Sequence, residues 1–346
     1  MAKRTADPSD SDRIEGFAHP REIHALMGQD QALARAARAV RSGRPPSAWL
    51  ITGAPGIGKA TLAYRIARYL LAHGATAAGA EDLSVPENHP AARQVAAGSH
   101  PGLLVLKRAV NPKTGKLMTV LSVDEIRKLA NFFGMTSGAG GWRVALVDTA
   151  DDMNDNAANA LLKMLEEPPA HAMLLLLSNT PGRLLPTIRS RCRRLDFQSL
   201  DDGAITSILA KSLPDQKDFE RARVIAVAGG SVGRAIALAE LDLVNLEEKA
   251  IKILRQGDPT NGRRSDLALE LGKRGAGDRY AAFLEILPSV IARETRSLTG
   301  APRLRAVDAY ARTRELVAIA PRLSLDPAST VFQLGGILAS VADPLP

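Results

Sequence analysis

Seven consecutive residues, Gly53-Ala-Pro-Gly-Ile-Gly58-Lys59, carry the spacing with which a chain can wrap a phosphate group. Glycines at 53, 56 and 58 let the backbone curl until N–H groups and the N-terminus of the next helix face phosphate oxygens. Lys59 would reach the terminal phosphates. The following position departs from the pattern. Phosphoryl-transfer loops place a hydroxyl there as a Mg²⁺ ligand, and Ala60 has none. Thr61 comes one residue late, about 100° around a helix, which turns its hydroxyl elsewhere. Two uses of the loop stay open: nucleotide binding without metal-assisted hydrolysis, and a purely architectural turn.

A second element bears on the same chemistry. Val144-Ala-Leu-Val-Asp148-Thr149 reads as a strand closed by an acid. In a hydrolysing P-loop ATPase an Asp here helps hold Mg²⁺ and a following Glu polarises water. Asp148 is in place, but Thr149 stands where the Glu belongs and cannot act as a base at neutral pH. Asp151 and Asp152 follow; a solvated turn explains them more simply than a substitute base. Ala60 and Thr149 are independent departures on one reaction. Together they predict that ATP or ADP binds, if at all, without hydrolysis.

The elements around these residues alternate. The apolar run 49–52 halts at the glycine loop, and Leu62, Ile66 and Leu70 then mark a helix ending at Gly74. The stretch 73–100, rich in Ala, Gly and Pro, reads as an irregular insertion. Leu103 to Leu106 reads as a buried strand, and Ser122 with Glu125 as a capping box opening a helix through Phe133. Ala157, Ala160, Leu161, Met164 and Leu165 form one helix face, stopped by Pro168 and Pro169. Leu174 to Leu177 is a fourth strand. Strands alternating with helices predict a parallel sheet covered on both faces. Beyond about residue 200 the patterns are helical, with breaks near Pro214, Gly229-Gly230, 257–263 and Pro302.

Bulk properties narrow the class. At 346 residues two or three domains are expected, and 45% hydrophobic with 24% charged residues fits a soluble globular chain. The single cysteine, Cys192, excludes an internal disulfide and a thiolate zinc cluster. The opening Met-Ala-Lys-Arg-Thr has no apolar core of a secretory signal, and no run approaches the ~20 apolar residues of a membrane span. A cytoplasmic protein with no membrane contact is expected. A net charge of +8 is compatible equally with nucleic-acid contact and with surface solubility.

Asn159-Ala-Leu-Leu-Lys-Met-Leu-Glu-Glu-Pro-Pro169 and Leu184-Leu-Pro-Thr-Ile-Arg-Ser-Arg191-Cys192, with the phosphate loop and His19-Pro-Arg21, resemble signatures of the bacterial DNA polymerase III clamp-loader family of AAA+ proteins. The resemblance covers roughly the first 200 residues. It implies an α/β P-loop AAA+ core with a parallel sheet, a small helical lid and an all-α C-terminal collar. The expected boundaries are 1–16 for a disordered tail, 17–199 for the core, 200–243 for the lid and 244–346 for the oligomerising collar. The implied partners are the gamma/tau and delta subunits in a hetero-oligomer, the sliding clamp, and primed DNA through the complex.

The same resemblance suggests roles residue by residue. Gly53, Gly56, Gly58, Lys59, Thr61 and Asp148 fall in the nucleotide site. Arg191, in the Ser-Arg-Cys motif, resembles the arginine finger that enters the neighbouring subunit's ATP site; without that motif, Arg189, Arg191, Arg193 and Arg194 would read as a basic strip. Asn179 matches a γ-phosphate sensor, and capping the strand is an equal alternative. Arg234 matches the lid arginine that reaches back to nucleotide, against a plain helix-surface arginine. Cys192 is expected to pack behind the finger. Many family members carry a four-cysteine zinc module where this chain has 73–100; His73, His89 and His100 make a poor replacement, so no zinc is expected. Two further readings compete: a working ATPase of the gamma/tau type, and a small-molecule kinase, which would need the hydroxyl missing at 60.

Overall fold

The computed structural model of the chain describes residues 17–111, 117–134, 141–214 and 218–342. The expected disordered tail, 1–16, lies outside the described residues. Strands β1 (Ala48–Thr52), β2 (Leu103–Leu106), β3 (Arg143–Val147), β4 (Ala172–Ser178) and β5 (Arg193–Asp196) form a five-stranded sheet in the order β2-β3-β4-β1-β5. Every neighbouring pair is parallel. Around it lie α1 (Asp30–Arg41), α2 (Lys59–His73), α3 (Pro90–Ala96), α4 (Val123–Gly134), α5 (Asp155–Glu166) and α6 (Pro186–Arg191).

Every residue of β1 and β4 is buried, as strands sandwiched between helices must be. The two-residue period of the strands sorts their side chains into two cores. Trp49, Ile51, Val144, Leu146, Met173 and Leu175 join the apolar residues of α1 and α2. Leu50, Ala145, Val147, Leu174 and Leu176 join those of α4, α5 and α6. The fold class expected from the sequence is the one observed.

Local chemistry sets the helix ends. The Asn154 side chain caps α5 by accepting from Ala157 N at 2.9 Å. Gly74, at φ +68°, a backbone angle that favours glycine, closes α2 by donating to Leu70 O. At α4 only half of the expected capping box forms: Ser122 Oγ accepts from Glu125 N at 3.4 Å, while the Glu125 carboxylate turns to Lys128 at 2.7 Å. β5 was not anticipated. Only Leu195 of its Arg-Arg-Leu-Asp sequence is buried, so it carries too little apolar pattern to read.

The 73–100 stretch is more ordered than its composition suggests. It holds α3, capped by His89 Nδ1 accepting from Ala91 N at 3.2 Å, and it buries Leu83, Val85, Ala92 and Val95 in the first core. Buried Arg65 fastens it by donating to Asp82 O and Asp82 Oδ2, at 2.8 and 2.6 Å.

The remaining helices are α7 (Asp202–Ser212), α8 (Asp218–Ala228), α9 (Val232–Glu240), α10 (Leu243–Gln256), α11 (Gly262–Leu271), α12 (Gly277–Thr295), α13 (Gly300–Ile319) and α14 (Pro327–Ala339). The chain divides into two compact units, Met1–Gln216 with Ala228–Arg234, and Lys217–Val227 with Ala235–Pro346. The second is helical. Leu246, Ala250 and Ile253 of α10 and Phe283, Leu287 and Ile291 of α12 are fully buried there. Buried Glu247 and Glu294 pair with Arg293 and Arg255, so neither charge is left uncompensated. No helix among the described residues is long and apolar enough to cross a membrane.

Candidate functional site

Because β1 lies beside β4, and β4 beside β3, the C-terminal ends of these three strands meet. They carry the glycine loop, Asp148 and Ser178-Asn179 to one edge of the sheet. Two glycines there cannot be replaced freely. Gly56 adopts φ +73°, and a Cβ on it would lie 2.6 Å from Ser231 Oγ and 2.9 Å from Gly233 Cα. Gly58, at φ +99°, is the N-cap of α2.

The start of α9 is stitched to this loop. Ser231 Oγ donates to Pro55 O at 2.8 Å and accepts from Arg234 N at 3.1 Å, while Gly233 N donates to Gly56 O at 2.9 Å. The backbone of Arg234 is thereby held beside the phosphate loop. From the other direction, buried Gln29 donates to Ile57 O and to Gln198 O, at 3.4 and 2.7 Å.

Lys59 is only 6% exposed. Its ammonium donates to Gly53 O, Ala54 O and Asn179 Oδ1, at 2.7, 2.6 and 2.7 Å, which uses all three of its N–H groups. Burial lowers its pKa to about 8, against the opposing pull of Asp148 and Asp151. Asn179 Oδ1 therefore faces the loop lysine.

Asp151 has a role that neither sequence reading gave it. Its Oδ1 accepts from Ser178 Oγ at 2.6 Å and its Oδ2 from the backbone N–H groups of Asn179 and Thr180. It fixes the end of β4, which in turn aims Asn179 at Lys59. Asp152 pairs with Arg108 at 3.1 Å. Ala60 packs at the margin of the first core, and Thr61 is buried on α2 without a side-chain hydrogen bond among the described residues. The loop, Lys59 and Asn179 are thus joined by hydrogen bonds, with Asp148 and Asp151 near enough to act on the lysine charge. Position 60 supplies no metal-ligating hydroxyl and position 149 no carboxylate.

Arg191 has different surroundings. It closes α6 at the surface, where its guanidinium meets Glu166 Oε1 at 2.9 Å and Thr187 O at 3.2 Å. Its neighbours in the basic sequence are engaged separately. Arg193 stacks over the Trp49 ring at 5.5 Å, and Arg194 pairs with Asp196 at 2.7 Å. Cys192 is buried, and burial pushes its thiol pKa up to about 12, so it is a packing residue without thiolate chemistry.

Among the described residues no three His, Cys, Asp or Glu side chains are placed to hold a metal ion. His73 and His89 stand 5.6 Å apart by ring centroid, and His100 Nδ1 accepts from Gly102 N at 3.0 Å.

Sequence reasoning overlooked Gln29, Ser231 and Glu166. Glu166 lies inside the 159–169 motif and Ser231 three residues before Arg234, but their partners are 25 and 176 positions away, which no local pattern discloses. Gln29 follows the positive-φ Gly28, and its partners are likewise distant backbone carbonyls.

A parallel sheet with a glycine loop after β1, an acid following β3 and a polar residue following β4 defines an α/β domain of the P-loop type. The sequence profile of the family described as DNA polymerase III, delta subunit, matches residues 28–201, half of the chain, and the chain belongs to that family. It is 40% identical over 184 residues to DNA polymerase III subunit delta' of Pseudomonas aeruginosa, covering 53% of each chain. It is 32% identical over 234 residues to subunit delta' of Escherichia coli, covering 66% of this chain and 65% of that one. It is 28% identical over 225 residues to subunit tau of Salmonella typhimurium, covering 64% of this chain and 33% of tau. The matches thus span about half to just under two thirds of the two delta' relatives.

Proposed function

We propose that this chain acts as a delta-prime subunit of a DNA polymerase III clamp-loader complex, hydrolytically defective itself and lending Arg191 to the ATP site of a neighbouring subunit. The observation that carries the reading is a complete phosphate-loop scaffold lacking two chemical groups. The hydroxyl at 60 and the carboxylate at 149 are missing, and Asp151 and Asp152 are engaged elsewhere. Surface-exposed Arg191, on a short helix of the same core, supports the donated role. Gamma/tau and delta are the partners, and the complex acts on the sliding clamp and primed DNA in the cytoplasm. ATP or ADP would occupy Gly53, Gly56, Gly58 and Lys59 without being split, a point that equilibrium dialysis of the chain with ADP tests directly.

An arginine entering a neighbour's phosphate site neutralises charge developing on the γ-phosphate, worth on the order of 10³–10⁵ in rate at that site. Arg191→Ala should leave folding and assembly with gamma/tau and delta intact and slow turnover at the adjoining site by a factor of that order. Arg191→Lys should rescue little, because a point charge lacks the planar fork. Unchanged turnover in an assembled Arg191→Ala complex would end this reading.

A further inference from the structure

The ion pair between Arg191 and Glu166 joins two motifs that the sequence keeps 25 positions apart. Glu166 is the last residue of α5, with Pro168 and Pro169 just beyond. Its helix is fixed at one end by the Asn154 cap and along its length by Ala157, Leu161 and Leu165. Leu184, Ile188 and Cys192, around α6, lie in the same core. Carboxylate and guanidinium are therefore carried on two elements that pack together, and their separation is set by the core beneath them.

The pair itself is open to solvent, with the side chains of Arg191 and Glu166 37% and 51% exposed. An exposed pair of this kind contributes little to stability. Its larger effect is on orientation, since a free arginine samples many rotamers that must be given up when it docks. Here Thr187 O accepts from Nη1 at 3.2 Å, and Nη2 stands 2.9 Å from Glu166 Oε1 as an ion pair, so the guanidinium is held from two sides.

The geometry points to Glu166 as the positioning residue of the donated arginine: it holds the Arg191 guanidinium in one orientation before a neighbouring nucleoside triphosphate is met and keeps it aimed during phosphoryl transfer. The inference rests on the donated-arginine reading above.

The test uses the complex assembled with gamma/tau and delta, carrying Glu166→Ala, Glu166→Gln, Arg191→Ala or the Glu166→Ala/Arg191→Ala double variant. Losing an arginine rotamer held in advance costs roughly a factor of ten. Glu166→Ala should therefore lower kcat about tenfold at the adjoining site, leave KM for ATP within about twofold, and leave thermal stability unchanged. Glu166→Gln keeps an acceptor oxygen and should recover most of the rate. The double variant should be no slower than Arg191→Ala alone. If Arg191→Ala slows turnover and Glu166→Ala does not, or if the two effects multiply, Glu166 does not act through Arg191 and the inference falls while the donated arginine stands. If Arg191→Ala has no effect, both fall together.

Discussion

Replacing Lys59 by methionine separates a structural lysine from a catalytic one. The substitution keeps the apolar stem and removes the ammonium, with its bonds to Gly53 O, Ala54 O and Asn179 Oδ1. Taking the charge out of water opposes these bonds and the pull of Asp148 and Asp151, and desolvation wins, because the pKa falls to about 8. The shift from 10.5 to about 8 corresponds to about 3 kcal/mol between the charged and neutral forms of the side chain, and that difference is what a pH series on the Met variant reads.

The pH dependence has a definite sign. Between pH 8 and 10.5 the unfolded chain holds a proton that folded Lys59 has released, so wild-type stability gains with rising pH and the Met variant has no such gain. The gap between the two should widen by up to about 3 kcal/mol across that window. Urea denaturation at pH 7, 8.5 and 10 measures it. A gap that stays flat or narrows would show that the ammonium is not buried as described. Turnover of the assembled complex should be unaffected, since the chemistry is assigned to the neighbouring site.

Two further outcomes follow from the geometry. His73 is held below the ordinary histidine pKa by burial and by His89, and burial acts likewise on His100 and, together with Arg68, on His24. Because the folded chain takes up these protons less readily than the unfolded one, stability present above about pH 6.5 should be lost as the pH falls. Denaturant midpoints at pH 7.5 and 5.5 should show this, with a shallower loss in His73→Phe. Gly56→Ala forces a Cβ against Ser231 and Gly233 at positive φ and should cost about 1–3 kcal/mol, whereas Gly182→Ala, whose Cβ meets open space, should have little effect.

The parts of the fold legible in the sequence were those with strong local signals. β1, β2 and β4 are short apolar runs bounded by breakers, and the glycine loop declares its own turn. β5 was hidden because an edge strand need bury only one side chain, here Leu195. α3 was hidden because His89 is an unusual cap and Ala-rich text carries no period. Within the site, residue types marked Lys59, Asp148 and Asn179, and the order of the strands brought them together. The position of Asp151 beneath Asn179 was not legible, because a turn aspartate looks the same whether it faces solvent or another strand end. The same holds for Glu166, whose partner belongs to another motif.

The central claim is that chemistry has been lost from this chain's own phosphate loop. Steady-state hydrolysis of ATP with Mg²⁺ by the purified chain tests it most directly. The expected rate is at background and unchanged by Lys59→Ala, with substantial turnover only once gamma/tau and delta are present. Rapid hydrolysis by the chain alone that disappears in Lys59→Ala would contradict it.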